Sequence, residues 1–437
     1  MSMGSDLWYQ NLVVQERARQ DLYRRVWEAY FGNMPKPLTI KPGKPDDNVR
    51  LNLVRLVVNA TVSFLFGKEP KFELDEGRET PAEEWLQGVW RYNRKMQLLQ
   101  KLAMNGAACG HVFLKMQLPA AGQRYPRLIN LSPEHVQVIT DADDIDMAIR
   151  YLIEYKTMGR QREEMTVRQS IERDEIGRWK ITDEVSVGNG DWTERQSIWW
   201  PWPWAPIIDC QNLPSPNEYY GMADIEEDVL ELNHAVNFAL SNLQRIVRYH
   251  AHPKTYGTGF TAKEFNQGAD ETILLPEGAT LANLEMTNDL SSLIELYKRL
   301  KEGMHETTQT PEVAVGKLEN TGNLSGVALK ILYQPLVQKT EAKRLTYGEM
   351  LIELNRRLLD MAGYGDANLC TITWPEVLPS NALEERQVAV LDKELGVSDD
   401  TLLEKLGYDA KAEAAKGEMD GVDMAEQLLT AFDRGEA

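Results

Sequence analysis

A chain of 437 residues that is 43% hydrophobic and 26% charged is long enough for two or three cores and has the usage of an ordinary soluble protein. Its net charge of −19 disfavours tight non-specific binding to nucleic acid, which relies on basic surfaces that displace phosphate counterions. No apolar run approaches the roughly 18 to 20 residues of a membrane span and the N-terminus lacks a signal-peptide layout, so the expectation is a cytosolic origin without membrane attachment.

The first predicted element is an amphipathic helix over 6–31, with Leu7, Val14, Ala18, Leu22, Val26 and Tyr30 recurring at three or four residues. The turn-rich "GNMPKPLTIKPGKPDDN" ends it. A second helix over 52–66 stops at "GKEP", where glycine permits a positive φ and proline cannot continue the ladder. A third is expected over 81–109. From His111 the period changes to two, and "HVFLKMQL", "HVQVITD", "IDMAIRYLIEYK", "EEMTVRQSIER" and "RWKITDEVSV" read as five strands of one antiparallel meander. The tract "IWWPWPWAP" cannot be a central strand, because its three prolines remove ladder donors.

Gly221 is expected to open a helix of about 26 residues, a rod of about 40 Å at 1.5 Å per residue, on which Met222, Ile225, Val229, Leu232, Val236, Ala239, Leu243 and Val247 form a narrow seam. Asp224, Glu226, Glu227 and Asp228 near its start and Arg245 and Arg248 near its end suit the helix dipole. An insert with strand and turn character over 250–284 precedes a returning helix over 289–308. Next comes "NTGNLSGVALKILYQPLVQK", residues 320–339, in which a glycine- and asparagine-rich loop meets a long helix over 325–361 that Pro335 should kink. "CTITWPEVLP" reads as a late strand. The tail reads as short helices, one starting at the candidate cap Ser398 and ending at Gly407. From Glu384 onward fifteen acidic residues face six basic ones, a local charge of −9.

Chemistry-bearing motifs are sparse. Gly316-Lys317 lacks the upstream glycine and the following hydroxyl of a phosphate-binding loop, and the chain has no GxSxG, HExxH or dinucleotide fingerprint. Cys109, Cys210 and Cys370 form no CxxC pair and read as ordinary buried thiols. The carboxylates Asp141, Asp143, Asp144 and Asp146 lack the glycine and glutamate of a calcium loop, so a solvated turn is the favoured reading over a metal site. His250 and His252 would share one face of a strand, but no third ligand is near. Trp199, Trp200, Trp202 and Trp204 fit packing better than base stacking in such acidic surroundings. No cofactor is expected.

The order of elements, together with "NLVRLVVNATVSFLFGKEPKFEL", "SPNEYYGMADIEEDVLELNHAVNFALSN", "GNLSGVALK" and "LPSNALEERQVAVLDKELGVSDDTLLEKLGY", resembles the portal proteins of tailed bacteriophages over nearly the whole chain. The resemblance implies an α+β fold with a helical stem, a small α/β clip, a wing of antiparallel sheet plus helices, and a helical crown. On this chain the parts are a helical N-terminal segment 1–25, wing 26–221 and 325–380, stem 222–247 and 288–309, clip 248–287, tunnel loop 310–324 and crown 381–437. It further implies a homo-oligomeric ring, a dodecamer, at one capsid vertex of the virion, assembled in the host cytoplasm. Double-stranded DNA passes through such a ring during packaging and ejection, and its partners are a terminase motor, a head-tail adaptor, and the major capsid and scaffolding proteins. Such a role needs no catalytic residue. Val315, Lys317, Leu318, Glu319 and Asn320 then fall at the tunnel-loop tips, Ile225, Val229, Leu232, Val236 and Leu243 in stem packing, and Pro335 at the bend behind the loop. Two rival readings are a metal-dependent nucleic-acid enzyme using the carboxylates of 141–146 and a ring scaffold that is not viral.

Overall fold

The computed structural model describes residues 3–74, 80–159, 162–188, 190–251, 255–259, 277–283, 290–315, 326–365, 370–378, 390–393, 395–398 and 401–403. The chain divides into two compact units, one of residues 1–322 and 331–375, the other of 323–330 and 376–437.

In the larger unit, helix α1 (Met3–Phe31) hands over to α2 (Leu53–Phe66) through Asn52. The Asn52 side chain accepts the Arg55 N–H at 2.9 Å, capping α2, while its Nδ2 donates to the carbonyls of Ala29 and Tyr30 at 2.8 and 3.0 Å, closing α1. One asparagine thus satisfies orphan groups of two helices. Strand β1 (Lys71–Leu74) follows.

The helix expected over 81–109 is two helices, α3 (Pro81–Tyr92) and α4 (Lys95–Cys109). The break lies at Asn93 and Arg94, the latter at φ 53°. The buried Asn93 side chain donates to Val89 O at 2.9 Å and to Pro126 O at 3.0 Å, and accepts the Leu128 N–H at 2.9 Å. Three buried backbone bonds, two of them to distant chain, offset the cost of the left-handed Arg94.

Strands β2 (His111–Gln117), β3 (Arg127–Leu131), β4 (Val136–Thr140), β5 (Ala148–Met158), β6 (Glu164–Arg173), β7 (Trp179–Val187), β8 (Thr193–Trp199) and β9 (Ile207–Gln211) make two antiparallel sheets. The meander is five-stranded, in the order β4-β5-β6-β7-β8. "HVFLKMQL" does not belong to it: β2 lies at the centre of a separate three-stranded sheet, β3-β2-β9. Its Val112, Phe113, Leu114 and Met116 are all buried, the continuous apolar run expected of a strand covered on both faces. The meander's fifth strand is instead β8, exposed along its length and at the edge of the sheet.

Helix α5 (Glu227–Ala251) leads into the hairpin of β10 (Thr255–Thr258) and β11 (Thr280–Asn283), and α6 (Ser291–Thr308) follows. Helix α7 (Gly326–Met361) runs through Pro335 as one element, and β12 (Cys370–Thr373) pairs antiparallel with β1. The main core lies among α2, α4, β2 and α7, with Leu65, Phe66, Leu99, Leu102, Phe113, Tyr347, Leu351 and Leu354 at 1% exposure or less. Gly106 is required there, since a Cβ on it would lie 1.9 Å from the Tyr347 hydroxyl.

In the smaller unit, the Ser398 hydroxyl accepts the Thr401 N–H at 3.4 Å at the start of a helical turn, as its reading as a cap requires. The end of that helix at Gly407 lies outside the described residues.

Candidate functional site

Residues 47–52, together with Leu53 at the start of α2, run along α5 and are laced to it in register. Leu53 N–H donates to Asn233 Oδ1 at 3.1 Å, Leu51 N–H to Asn237 Oδ1 at 2.7 Å, and Val49 N–H to the Ser241 hydroxyl at 2.9 Å. Asn237 Nδ2 returns a bond to Leu51 O at 3.2 Å, and the Ser241 hydroxyl one to Val49 O at 3.2 Å. Two extended residues advance about 6.7 Å and four helical residues about 6 Å, so alternate backbone groups meet every fourth side chain of the helix. The lacing ends in a bidentate pair, Arg248 to Asp47 at 2.7 Å on both arms, with Arg245 at 3.6 Å from the same carboxylate. The Arg248 guanidinium holds the buried Asp47 carboxyl below the usual carboxylate range.

The root of α5 carries a second polar knot. The helix was expected from Gly221, but residues 222–226 precede it, because their backbone is engaged elsewhere: Met222 N–H donates to Leu213 O at 2.9 Å and Asp224 N–H to Ala107 O at 2.9 Å. Of the four acidic residues matched to the dipole, only Glu227 and Asp228 lie in its first turn. Asp224 is fully buried and pairs with two lysines of α7, Lys339 at 2.8 Å and Lys343 at 2.5 Å. Lys339 Nζ also donates to Thr308 O, the last residue of α6, at 3.0 Å, a cation on the carbonyl end of a helix. The start of α5 and the end of α6 therefore meet at one ammonium, and because the two helices also pack together, they run antiparallel.

Burial pushes the Asp224 carboxyl up, but the charges of Lys343 and Lys339 more than offset this and hold it well below the usual range. Burial likewise pushes the Lys343 ammonium down to about 8, with Asp224 opposing and Lys339 reinforcing the shift. Below the knot, His305 Nδ1 lies 2.6 Å from Thr310 O, and Lys301 pairs with Glu312 in the 3-10 turn Glu312–Val315. The chain that leads into residues 316–325 is thus anchored on α6 and α7.

Of the seam residues, Ile225, Val229 and Val236 are buried in this chain's own core, while Leu232 and Leu243 are half-buried. Ile225 lies ahead of the helix and not on it. The exposed apolar side chains of α5 are Phe238, Val247 and Tyr249. Pro335 lies inside α7 on an exposed stretch. Val315 closes the 3-10 turn, whereas Lys317, Leu318, Glu319 and Asn320 lie outside the described residues. The sequence reading missed the side chains that knit the site: Asn233, Asn237, Ser241, Lys339 and Lys343. An i, i+4, i+8 row of small polar groups beside the apolar Val229, Val236 and Ala239 was the available signal for the first three.

The other candidates have local explanations. Asp141 Oδ1 accepts the Asp143 N–H at 2.9 Å and Asp144 Oδ1 the Asp146 N–H at 3.0 Å, the bonding of a self-closed turn. His250 is in α5 and not in a strand, and His252 lies outside the described residues. Trp200, Trp202 and Trp204 pack on one another with ring centroids 5.0 to 5.8 Å apart, and Trp204 Nε1 donates to Asp360 at 2.8 Å. Trp199 is half-exposed under the Arg178 guanidinium, 4.3 Å away. Cys109, Cys210 and Cys370 are free thiols. Among the described residues no helix is long and apolar enough to cross a membrane.

The fold combines a paired rod rooted on a long helix with an antiparallel meander, a mixed helix and antiparallel-sheet architecture. The chain belongs to the phage portal protein family of the SPP1 Gp6-like type, which it matches over residues 9–420. Among solved structures it is similar to a chain from the neck of an empty gene transfer agent (GTA) particle computed with C6 symmetry, at 14% identity and a TM-score of 0.50, over 81% of this chain and 88% of that chain. It is also similar to chains from the virion of the native GTA particle (14% identity, TM-score 0.47) and from the neck of the native GTA particle computed with C12 symmetry (15%, 0.47), each over 81% of this chain and 88% of that chain. At such identity the likeness is one of fold. No curated sequence matches the chain.

Proposed function

We propose that this protein forms a ring, a dodecamer, at one vertex of a capsid, through which double-stranded DNA is packaged by a terminase motor and later ejected. The observation that carries this reading is the match to the portal family across 9–420. In this reading 222–247 and 288–309 are the stem, 248–287 the clip, 310–324 the tunnel loop, 26–221 and 325–380 the wing, and 381–437 the crown. Helix α5 continues four residues past the proposed stem limit of 247. The clip, a turn-rich excursion between two rods, is the docking site for the terminase and head-tail adaptor. The ring also meets major capsid and scaffolding proteins.

The physics suits the role. With a chain of net charge −19, a channel lined by its acidic residues would repel phosphates, and repulsion keeps DNA sliding instead of sticking. No step requires a residue to break a bond, and the Asp141 and Asp144 carboxylates, which the nuclease reading would recruit, are engaged by their own turn.

Electron microscopy of the purified protein tests the proposal. Rings with a central hole are expected. A monomer with magnesium-dependent nuclease activity would overturn it in favour of the enzyme.

A further inference from the structure

The knot at Asp224 is not charge-balanced. One carboxylate at 0% side-chain exposure faces two ammoniums at 6% and 3%. The other acceptor that the described residues offer them is the Thr308 carbonyl on Lys339. Lys343 donates to Asp224. The charged groups facing Lys343 are Asp224 ahead of α5 and Lys339 on α7; Glu226 and Tyr347 stand around Asp224, with Cys210 on β9 beside Tyr347. Burial pushes the Tyr347 hydroxyl and the Cys210 thiol up, so neither supplies a negative charge. Glu226 makes no ion pair with either lysine: its Oε1 accepts the Ala223 N–H at 2.8 Å. With both lysines protonated, two ammoniums share one carboxylate at ion-pairing distance in the interior, where charge is costly unless paired.

We propose that this knot is a proton-regulated joint between the roots of α5 and α6 and the long helix α7: it is strained while Lys343 is charged and tightens into a matched Asp224–Lys339 pair when Lys343 gives up its proton. Lys339 is the structural cation, because it alone bridges Asp224 and the α6 terminus. Lys343 is the adjustable one. The inference concerns the fold of a single chain and does not rest on the proposed channel function.

Lys343 has a folded value of about 8 against its ordinary 10.5, so between these values the unfolded chain binds more protons than the native one. Stability must then rise with pH across that window.

The test compares the full-length protein with K343M, which has similar length and no charge, by melting temperature from pH 7 to pH 10. K343M is expected to melt higher than wild type at pH 7, and the gap should close as pH rises through 8 to 10. Amide exchange at pH 7 should be several-fold slower in K343M at 223–230 and 304–310 but unchanged in the meander. A gap that stays constant with pH, or a K343M that melts lower than wild type at pH 7, overturns the proposal. Should K343M fail to fold, K343R serves, since its charge persists across the window. Melting of K343R should lack the wild-type rise between pH 8 and 10, and a retained rise would overturn the assignment to Lys343.

Discussion

Asn237 holds both backbone groups of Leu51, its Oδ1 accepting the N–H at 2.7 Å and its Nδ2 donating to the carbonyl at 3.2 Å. A side-chain amide has the donor and acceptor of a peptide group, so α5 presents to the extended segment what a neighbouring strand would otherwise supply. Replacing Asn237 by Leu keeps the volume and strands two polar groups, each at a cost of about 1 to 3 kcal/mol. N237L should therefore lower the stability of the full-length protein by about 2 to 6 kcal/mol in urea unfolding. A loss below 0.5 kcal/mol would mean that water replaces the amide.

Acid sensitivity follows from two depressed carboxyls. Asp224 and Asp47 both titrate below their ordinary 3.8, so each contributes stability that is complete above that value and is lost as pH falls through the folded one. Melting temperature should decline steadily below about pH 4, and the decline should be shallower in D47N. D224N should cost about 3 to 5 kcal/mol at pH 7, because it leaves two buried ammoniums without their counter-charge. Identical acid profiles for D47N and wild type would remove Asp47 from this account.

Leu232 and Phe238 separate packing within one chain from packing between chains. Leu232 is half-buried against the core, whereas Phe238 is 47% exposed. L232D should destabilise the fold by several kcal/mol, on the order of other buried unpaired charges. F238D should leave the fold intact, within about 0.5 kcal/mol, yet shift size-exclusion profiles from ring to monomer. Rings formed normally by F238D would place the ring contact elsewhere on the chain.

The proposed tunnel loop has a sequence suited to movement. Gly316 and Gly322 permit backbone angles closed to other residues, and Asn320 tolerates left-handed ones. Lys317 and Glu319 leave little net charge at its tip. Double replacement of both by Ala should hardly alter packaging. A disulfide tying the loop to α7 should stall DNA movement in a packaging assay, and a cross-linked ring that packages at the normal rate would show a passive bore.

Periodicity carried much of the architecture. Helices α2, α5 and α6 and strands β5 to β7 repeat at 3.6 or 2 over ten residues or nearly so, and a local pattern of that length reports a local conformation whatever surrounds it. The expected insert between the rods is likewise the β10–β11 hairpin. The errors lie where a residue's role is decided by a partner far along the chain. Asp224 looked like a dipole-matching first-turn residue, because its lysines are 115 and 119 positions away. Asn93 looked helical, because the carbonyl of Pro126 that draws it out of α3 is 33 residues on. "HVFLKMQL" joined the wrong sheet, because a continuous apolar run states that both faces are covered but not by which strands. Local patterns set element type through backbone geometry and burial. Pairing, helix breaks and charge knots were settled only by tertiary structure, since a buried hydrogen bond or ion pair has its energy from a partner that no local window contains.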